Sequence, residues 1–210
     1  LFQPVAFFLP LAMNKTALAN IALGKLGAAR ITSVDENSPV AIKVREMWDI
    51  TRDAMLRRRE WNFAIKRANL SALADAPAFG WDVQYQLPSD YVRTVEFNGQ
   101  TAGTSQALFD VEGDKLLTND NDQAQFVYVA RVEDVSLWDD GFQTAFSFAL
   151  AAALAPSLSN SQTLAGDLDR KAEMAITKAG GGNLAEDRPR CILAHQDSGW
   201  IKARQGANNW

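Results

Sequence analysis

The amino-acid sequence predicts an α+β fold, mainly an α-helical bundle of about four helices with an inserted small antiparallel β domain and extended termini. Two observations predict the helices and the insertion. Apolar residues recur at helical spacing in two blocks, residues 14–60 and residues 140–180. Between them, at about residues 61–135, short runs rich in β-branched and aromatic residues alternate with turn residues. The helices are therefore expected to bracket the β domain.

The first block predicts two helices. The stretch from Thr16 to Leu26 is rich in alanine and leucine, and Gly27 is placed to end a helix there, with one face formed by Leu18, Ile21, Ala22 and Lys25. Ser38 followed by Pro39 is a typical helix start, since serine caps free N–H groups and proline suits the first helical position. We expect this second helix to run to about Arg59, with an inward face of Val40, Val44, Met47, Trp48, Thr51 and Met55.

The middle region predicts three or four strands in one small antiparallel sheet. The runs Tyr91–Phe97 and Gln125–Ala130 are the most β-rich. Asn98-Gly99 provides a turn after the first run. Glu112-Gly113-Asp114 provides another between two shorter runs, Leu108–Val111 and Lys115–Leu117.

The second block predicts two more helices. One is apolar at every third or fourth position and should end at Pro156, its inward face being Phe142, Ala145, Phe146, Ala149, Leu150, Ala153 and Leu154. The other should begin near Asn160 or Ser161 and end at Gly180-Gly181-Gly182, with Leu164, Leu168, Ala172, Ala175, Ile176 and Ala179 turned inward.

The two ends differ from the folded unit that we assign to residues 13–182. Residues 1–12 are apolar but lack a basic segment and are too short to cross a bilayer, so we expect no signal peptide and no membrane anchor. Leu1-Phe2-Gln3 resembles the end of a protease tag site and Met13 a natural start, so one interpretation is a non-native extension. The alternative is an apolar strip that docks in a groove of the protein or of a neighbour. Residues 183–210 are polar and predict an extended tail.

Composition restricts the classes of function. The formal net charge of −4 and pI near 5.1 disfavour non-specific binding to nucleic acid or to anionic membranes by the chain as a whole. One cysteine excludes an intrachain disulfide and fits a reducing compartment such as the bacterial cytoplasm.

No set of residues predicts catalysis, and we expect no enzyme, no cofactor and no metal. Cys191 and His195 are four positions apart, but a structural zinc site needs four ligands and the chain has no other Cys or His. The single histidine also disfavours a Ser-His-Asp triad. Gly180-Gly181-Gly182 lacks the lysine and Ser/Thr of a phosphate-binding loop.

A basic cluster stands out, because five of the 21 lysines and arginines fall between positions 57 and 67. It consists of Arg57, Arg58, Arg59, Lys66 and Arg67. Three interpretations remain open from sequence: ion pairing with an acidic surface of a neighbouring subunit, contact with DNA phosphates, or a solvated helix end.

One segment carries a family resemblance. It comprises Trp61-Asn62-Phe63-Ala64-Ile65-Lys66-Arg67-Ala68-Asn69-Leu70, then Pro77 and Gly80-Trp81, then Tyr85-Gln86-Leu87-Pro88-Ser89-Asp90-Tyr91-Val92-Arg93. This segment resembles tail tubular protein A of short-tailed bacteriophages, a family of head-to-tail adaptors. The likeness covers about residues 14–180, including the linker Ile31–Glu36 between the first two helices. Trp61, Phe63, Trp81, Tyr85, Leu87 and Pro88 are expected to act in packing and in directing the chain.

The resemblance implies a structural virion protein of the phage neck, made in the host cytoplasm. It implies a homo-oligomeric ring of about twelve copies between the portal protein and the tail nozzle or tail tube. Double-stranded DNA would pass through the lumen without sequence recognition, which suits an acidic chain. Two other classes stay open: a helical nucleic-acid-binding protein that uses the basic cluster, and a cell-wall hydrolase carried in the virion.

Overall fold

The computed structural model describes residues 13–103, 108–120, 124–159 and 161–186, with side-chain surroundings as far as residue 180. This part of the chain holds four α-helices and two antiparallel sheets, which confirms the predicted α+β class. The expectations for residues 1–12, and for the tail beyond residue 186, lie outside the described residues.

Helices α1 (Lys15–Lys25) and α2 (Pro39–Arg58) begin at capping side chains. The Asn14 side chain accepts a hydrogen bond from the Ala17 N–H at 2.8 Å, and the predicted cap Ser38 accepts one from Ala41 at 3.2 Å. Gly27 ends α1 with a positive φ of 66°. The predicted face of α1 is wrong at Ile21, which is exposed, because Ala19 and Leu23 are buried instead and rotate the inward face.

The linker between α1 and α2 is held by side chains of both elements. Asn20 donates to the Ile31 carbonyl at 2.8 Å and accepts from the Ile31 N–H at 2.9 Å. Glu36 accepts hydrogen bonds from Thr32 and Ser33, and these bonds, together with one from the Ser38 side chain, lower the pKa of its carboxyl to about 2. The angle between the two helices is therefore set by polar contacts as well as by packing.

Helices α3 (Asp140–Leu158) and α4 (Gln162–Glu186) both continue past the residues predicted to end them. Pro156 lies inside α3. A proline in the last turn removes one hydrogen bond from the helix, and the ring of Pro156 is exposed to solvent, so the helix can continue past it. Helix α4 does not end at Gly180-Gly181-Gly182, where its end was predicted, but continues to Glu186. Gly180 is buried against Arg59, and an added Cβ would overlap the Arg59 guanidinium. This glycine therefore permits close contact between α4 and the end of α2.

The β region forms two sheets rather than the single sheet expected. The strands are β1 (Ile65–Asn69), β2 (Val83–Gln86), β3 (Tyr91–Phe97), β4 (Gln100–Thr101), β5 (Phe109–Glu112), β6 (Lys115–Thr118) and β7 (Gln125–Ala130). The inner sheet has the order β1-β7-β3-β4 and the outer sheet the order β2-β6-β5. The predicted turns at Asn98-Gly99 and Gly113 join β3 to β4 and β5 to β6 with positive φ angles.

The inner sheet separates two hydrophobic cores. Valines on one face, such as Val92 and Val129, pack with the helices. Aromatic residues on the other face, such as Phe126 and Tyr128, pack with the outer sheet through Tyr85. The order of layers is therefore helices, inner sheet, outer sheet.

Helix α3 is the central helix, since it contacts α1, α2 and α4. Its 19 residues are long and apolar enough to cross a membrane by length and composition alone. Its large side chains Phe142, Phe146, Leu150 and Leu154 are fully buried among the other helices. This core packing accounts for its apolar composition.

Two glycines allow a matched test of helix packing. A Cβ at Gly141 would lie 2.6 Å from the Cβ of Ala179, whereas a Cβ at Gly166 meets nothing within 4 Å. We expect Gly141→Ala to lower the free energy of unfolding by about 1–3 kcal/mol through overpacking of α3 against α4. Gly166→Ala should raise it by about 0.5–1 kcal/mol through helix propensity. Urea denaturation measures both, and equal effects would contradict the close contact.

Candidate functional site

The segment that carries the family resemblance forms the junction between α2 and the inner sheet. Trp61 follows α2, and a single 3₁₀ turn, Asn62–Ala64, leads directly into β1. The indole of Trp61 is completely buried and its Nε1–H donates to the carbonyl of Met55 at 3.1 Å. Trp61 therefore fixes the direction in which the chain leaves the helix.

Around Trp61 the aromatic rings form one continuous cluster. The ring centroid of Phe142 lies 4.9 Å from those of Trp61 and Trp138, with the rings edge-to-face in both pairs. The ring centroid of Phe146 lies 5.0 Å from that of Trp138 and 4.8 Å from that of Trp48. The cluster, consisting of Trp48, Trp61, Trp138, Phe142 and Phe146, joins α2, α3 and the chain segments that enter and leave the sheet. Edge-to-face contacts of this kind add to the stability that burial supplies.

The other residues of the motif also lie at packing positions. Phe63 is half-buried, with its ring 5.0 Å from that of Phe142. Tyr85 and Leu87 are buried in the core between the two sheets, and Pro88 follows at the turn between β2 and β3. Trp81 is half-buried beside β5. The structure thus brings Trp61 and Phe63 together and places Trp81, Tyr85, Leu87 and Pro88 in the outer half of the molecule.

The three arginines at the end of α2 bind within the protein. Arg57 donates to the carbonyl of Val92 in β3 at 2.8 Å. Arg58 forms an ion pair with Glu173 of α4, and Arg59 donates to the carbonyl of Gly180 at 3.1 Å. Each arginine therefore joins the end of α2 to another element, which none of the three interpretations of the basic cluster anticipated.

Lys66 and Arg67 both lie on β1, but only Lys66 has an ion-pair partner among the described residues. Lys66 pairs with Asp90 at 2.6 Å, and Asp90 also accepts a hydrogen bond from the Tyr128 hydroxyl at 2.9 Å. Burial together with the neighbouring Asp90 raises the pKa of Tyr128 to about 12. Arg67 is exposed and makes no hydrogen bond or ion pair with any other residue that the structure describes.

The sequence did not reveal a charge network around the buried Arg52. Arg52 is 5% exposed and binds Asp49 and Asp53, both at 2.9 Å, and Arg131 binds Asp53 from the end of β7 at 3.0 Å. Burial raises the pKa of Asp53, but hydrogen bonds and charge from the two arginines outweigh it and leave the pKa below its usual value. The spacing of Asp49, Arg52 and Asp53 is visible in the sequence, whereas the partner 78 residues away is not.

The surface offers shallow depressions. One groove of about 420 Å³ lies between α2 and α4, with Ala149, Ala152 and Ala153 of α3 among the residues that line it. Among the described residues no three His, Cys, Asp or Glu side chains are grouped so that they could hold a metal ion. Cys191 and His195, the pair considered from sequence, lie outside the described residues.

Replacement of Trp61 tests the junction. Trp61→Ala should lower the free energy of unfolding by about 3–5 kcal/mol, since it removes a large buried ring and leaves a cavity beside Phe142. Phe79→Ala is the control, because Phe79 is 88% exposed and its removal should change stability by less than about 0.5 kcal/mol. Similar urea midpoints for Trp61→Ala and the wild type would contradict the assigned role.

Asp53 should make stability dependent on pH. Because the folded-state pKa of Asp53 lies below the ordinary value of 3.8, its contribution to stability is present above that pH and is lost as the pH falls through the folded pKa. Asp53→Asn should therefore be less stable than the wild type at pH 6, and should lose less stability between pH 6 and pH 2. Asp35→Asn, at an exposed site, is the control and should follow the wild type. Parallel curves for Asp53→Asn and the wild type would refute this role.

No protein-family model matches the chain, and no curated protein is significantly similar to it in sequence.

Proposed function

We propose that this chain is a structural virion protein, the head-to-tail adaptor of a short-tailed bacteriophage. Its copies form a ring of about twelve between the portal protein and the tail nozzle or tail tube. Double-stranded DNA passes through the lumen, and the protein reads no sequence. The site of action is the virion neck, after synthesis in the bacterial cytoplasm.

The segment between Trp61 and Arg93 carries the proposal. It resembles the adaptor family, and in this chain it builds the junction of the helices and the inner sheet around the buried Trp61. A ring subunit that transmits load between a capsid and a tail needs its layers joined firmly. The aromatic cluster and the arginines of α2 supply such a joint.

The charges support a lumen that does not hold DNA. The net charge is −4, and four of the five residues of the basic cluster bind acceptors inside the protein. A protein that neutralises phosphates needs cations free on one surface. The nucleic-acid-binding alternative is less well supported for this reason, since Arg67 alone of the cluster has no acceptor among the described residues.

Electron microscopy of the purified protein tests the proposal. Images of the protein alone, and after mixing with the portal protein of the same phage, should show closed rings, whose rotational symmetry gives the copy number. Failure of the wild-type chain to form rings in either sample would refute the adaptor function.

Two assays test the alternative functions with the same preparation. A gel shift with double-stranded DNA at low micromolar protein and low salt should show no complex. A salt-sensitive shift by the monomer would favour the nucleic-acid-binding class, and cleared bands in a cell-wall zymogram would favour a hydrolase.

A further inference from the structure

The groove between α2 and α4 is an apolar surface that the described residues leave uncovered. Its floor is the outward face of α3, with Ala149, Ala152 and Ala153. Residues 141–158 of this helix contain no Asp, Glu, Lys or Arg, so α3 contributes no charged side chain to the groove. Ile50 lines the α2 side of the groove and is 68% exposed. A concave apolar surface of this kind usually marks a contact site.

The two ends of the groove differ in charge. At the end of α2, Arg58 lines the groove and forms an ion pair with Glu173 of α4, which joins the two helices there. At the start of α4 the groove is lined by Ala165 and Gly166, and on the α2 side by Ile50. The described residues form no ion pair between α2 and α4 at this second end. An apolar segment can therefore enter the groove from the side of Ile50.

One segment of this chain outside the described residues matches the groove in chemistry. Residues 1–12 contain nine Ala, Val, Leu or Phe and no charged side chain. Such a segment is more stable with its side chains out of water. Residues 187–210 contain six charged side chains, and α4 continues about 25 Å beyond the groove residue Asp169 before they begin. The chemistry of the groove therefore favours residues 1–12 over the tail.

The start of α1 brings the end of this segment within reach of the groove. Met13 is half-buried against the helical core, and the Lys15 ammonium lies 5.1 Å from the ring centroid of Trp48 in α2. Ile50 follows Trp48 by two residues, so the two side chains point to nearly opposite sides of α2. A chain that passes halfway around a helix covers about 17 Å, or roughly five extended residues. About seven of the twelve residues then remain for the groove.

We propose that residues 1–12 dock in the groove of their own chain, where the apolar side chains between Leu1 and Phe7 cover the alanines of α3. A tethered segment has a high effective concentration at its own chain, which favours this contact over the same contact with a neighbour. The groove is open on one side, so the backbone of the segment keeps hydrogen bonds with water. The docked segment contacts both α2 and α4 and is part of the fold rather than a non-native extension.

Limited digestion with chymotrypsin tests the docking, because this protease cleaves after phenylalanine and the segment contains Phe7 and Phe8. We expect Ile50→Asp to raise the rate of cleavage after these two residues about tenfold or more, since a carboxylate in the groove disfavours the apolar contact and releases the segment. Mass spectrometry of the full-length chain during digestion measures the rate.

Met174→Asp is the matched control for this digestion. Met174 is 63% exposed on α4 and does not line the groove, so its variant should be cleaved at the wild-type rate. Circular dichroism of both variants shows whether the helices are intact. Equal cleavage rates for Ile50→Asp and the wild type would overturn the docking, and so would equal acceleration in the two variants.

Engineered cysteines test which chain supplies the segment. In a Cys191→Ser background, Ala6→Cys combined with Ala153→Cys should be joined by a short bismaleimide within one chain. The product should keep the mass of a monomer on a denaturing gel, and peptide mass spectrometry identifies the linked residues. The control pair, Ala6→Cys with Met174→Cys, should stay largely unjoined. A product of dimer mass for the first pair would overturn docking within one chain, as would equal yields for the two pairs.

The docked segment does not depend on the proposed ring, and each proposal can fail without the other. If the wild-type segment is cleaved as fast as that of Ile50→Asp while rings form, the docking is wrong and the adaptor proposal stands. If the wild-type segment is protected and cross-linked within one chain while no rings form, the docking stands and the adaptor proposal fails.

Discussion

The aromatic cluster at the junction of the helices and the inner sheet is the constraint on which the rest of the structure depends. Trp61 lies just after the end of α2, and Trp138 lies just before the start of α3. Each indole N–H donates to a backbone carbonyl six residues earlier, Trp61 to Met55 and Trp138 to Val132. The chain is therefore fixed both where it leaves the bundle and where it returns, and the β layer between these points cannot rotate freely.

The basic residues at the end of α2 extend this joint. Arg57 binds β3, while Arg58 and Arg59 bind α4, so the end of one helix is tied to two layers. Gly180 has a role here, because a side chain at this position would occupy the place of the Arg59 guanidinium.

The described residues form three packed layers. The inner sheet is covered on one face by helices and on the other by the outer sheet. In the proposed ring, the two hydrophobic cores stabilise each copy.

The sequence by itself determined the class of fold, the order of helices and strands, and the caps at Ser38 and Gly27, because periodicity and capping are local properties. It also singled out Trp61 as an anchor. Only the tertiary structure decided that the strands form two sheets, since pairing joins residues far apart in the chain, such as Ile65 with Val129. It likewise decided that α4 passes through its glycines, and that four cations of the basic cluster bind acceptors elsewhere in the same chain. The acceptors of those cations lie 24 to 121 residues away, beyond any local pattern.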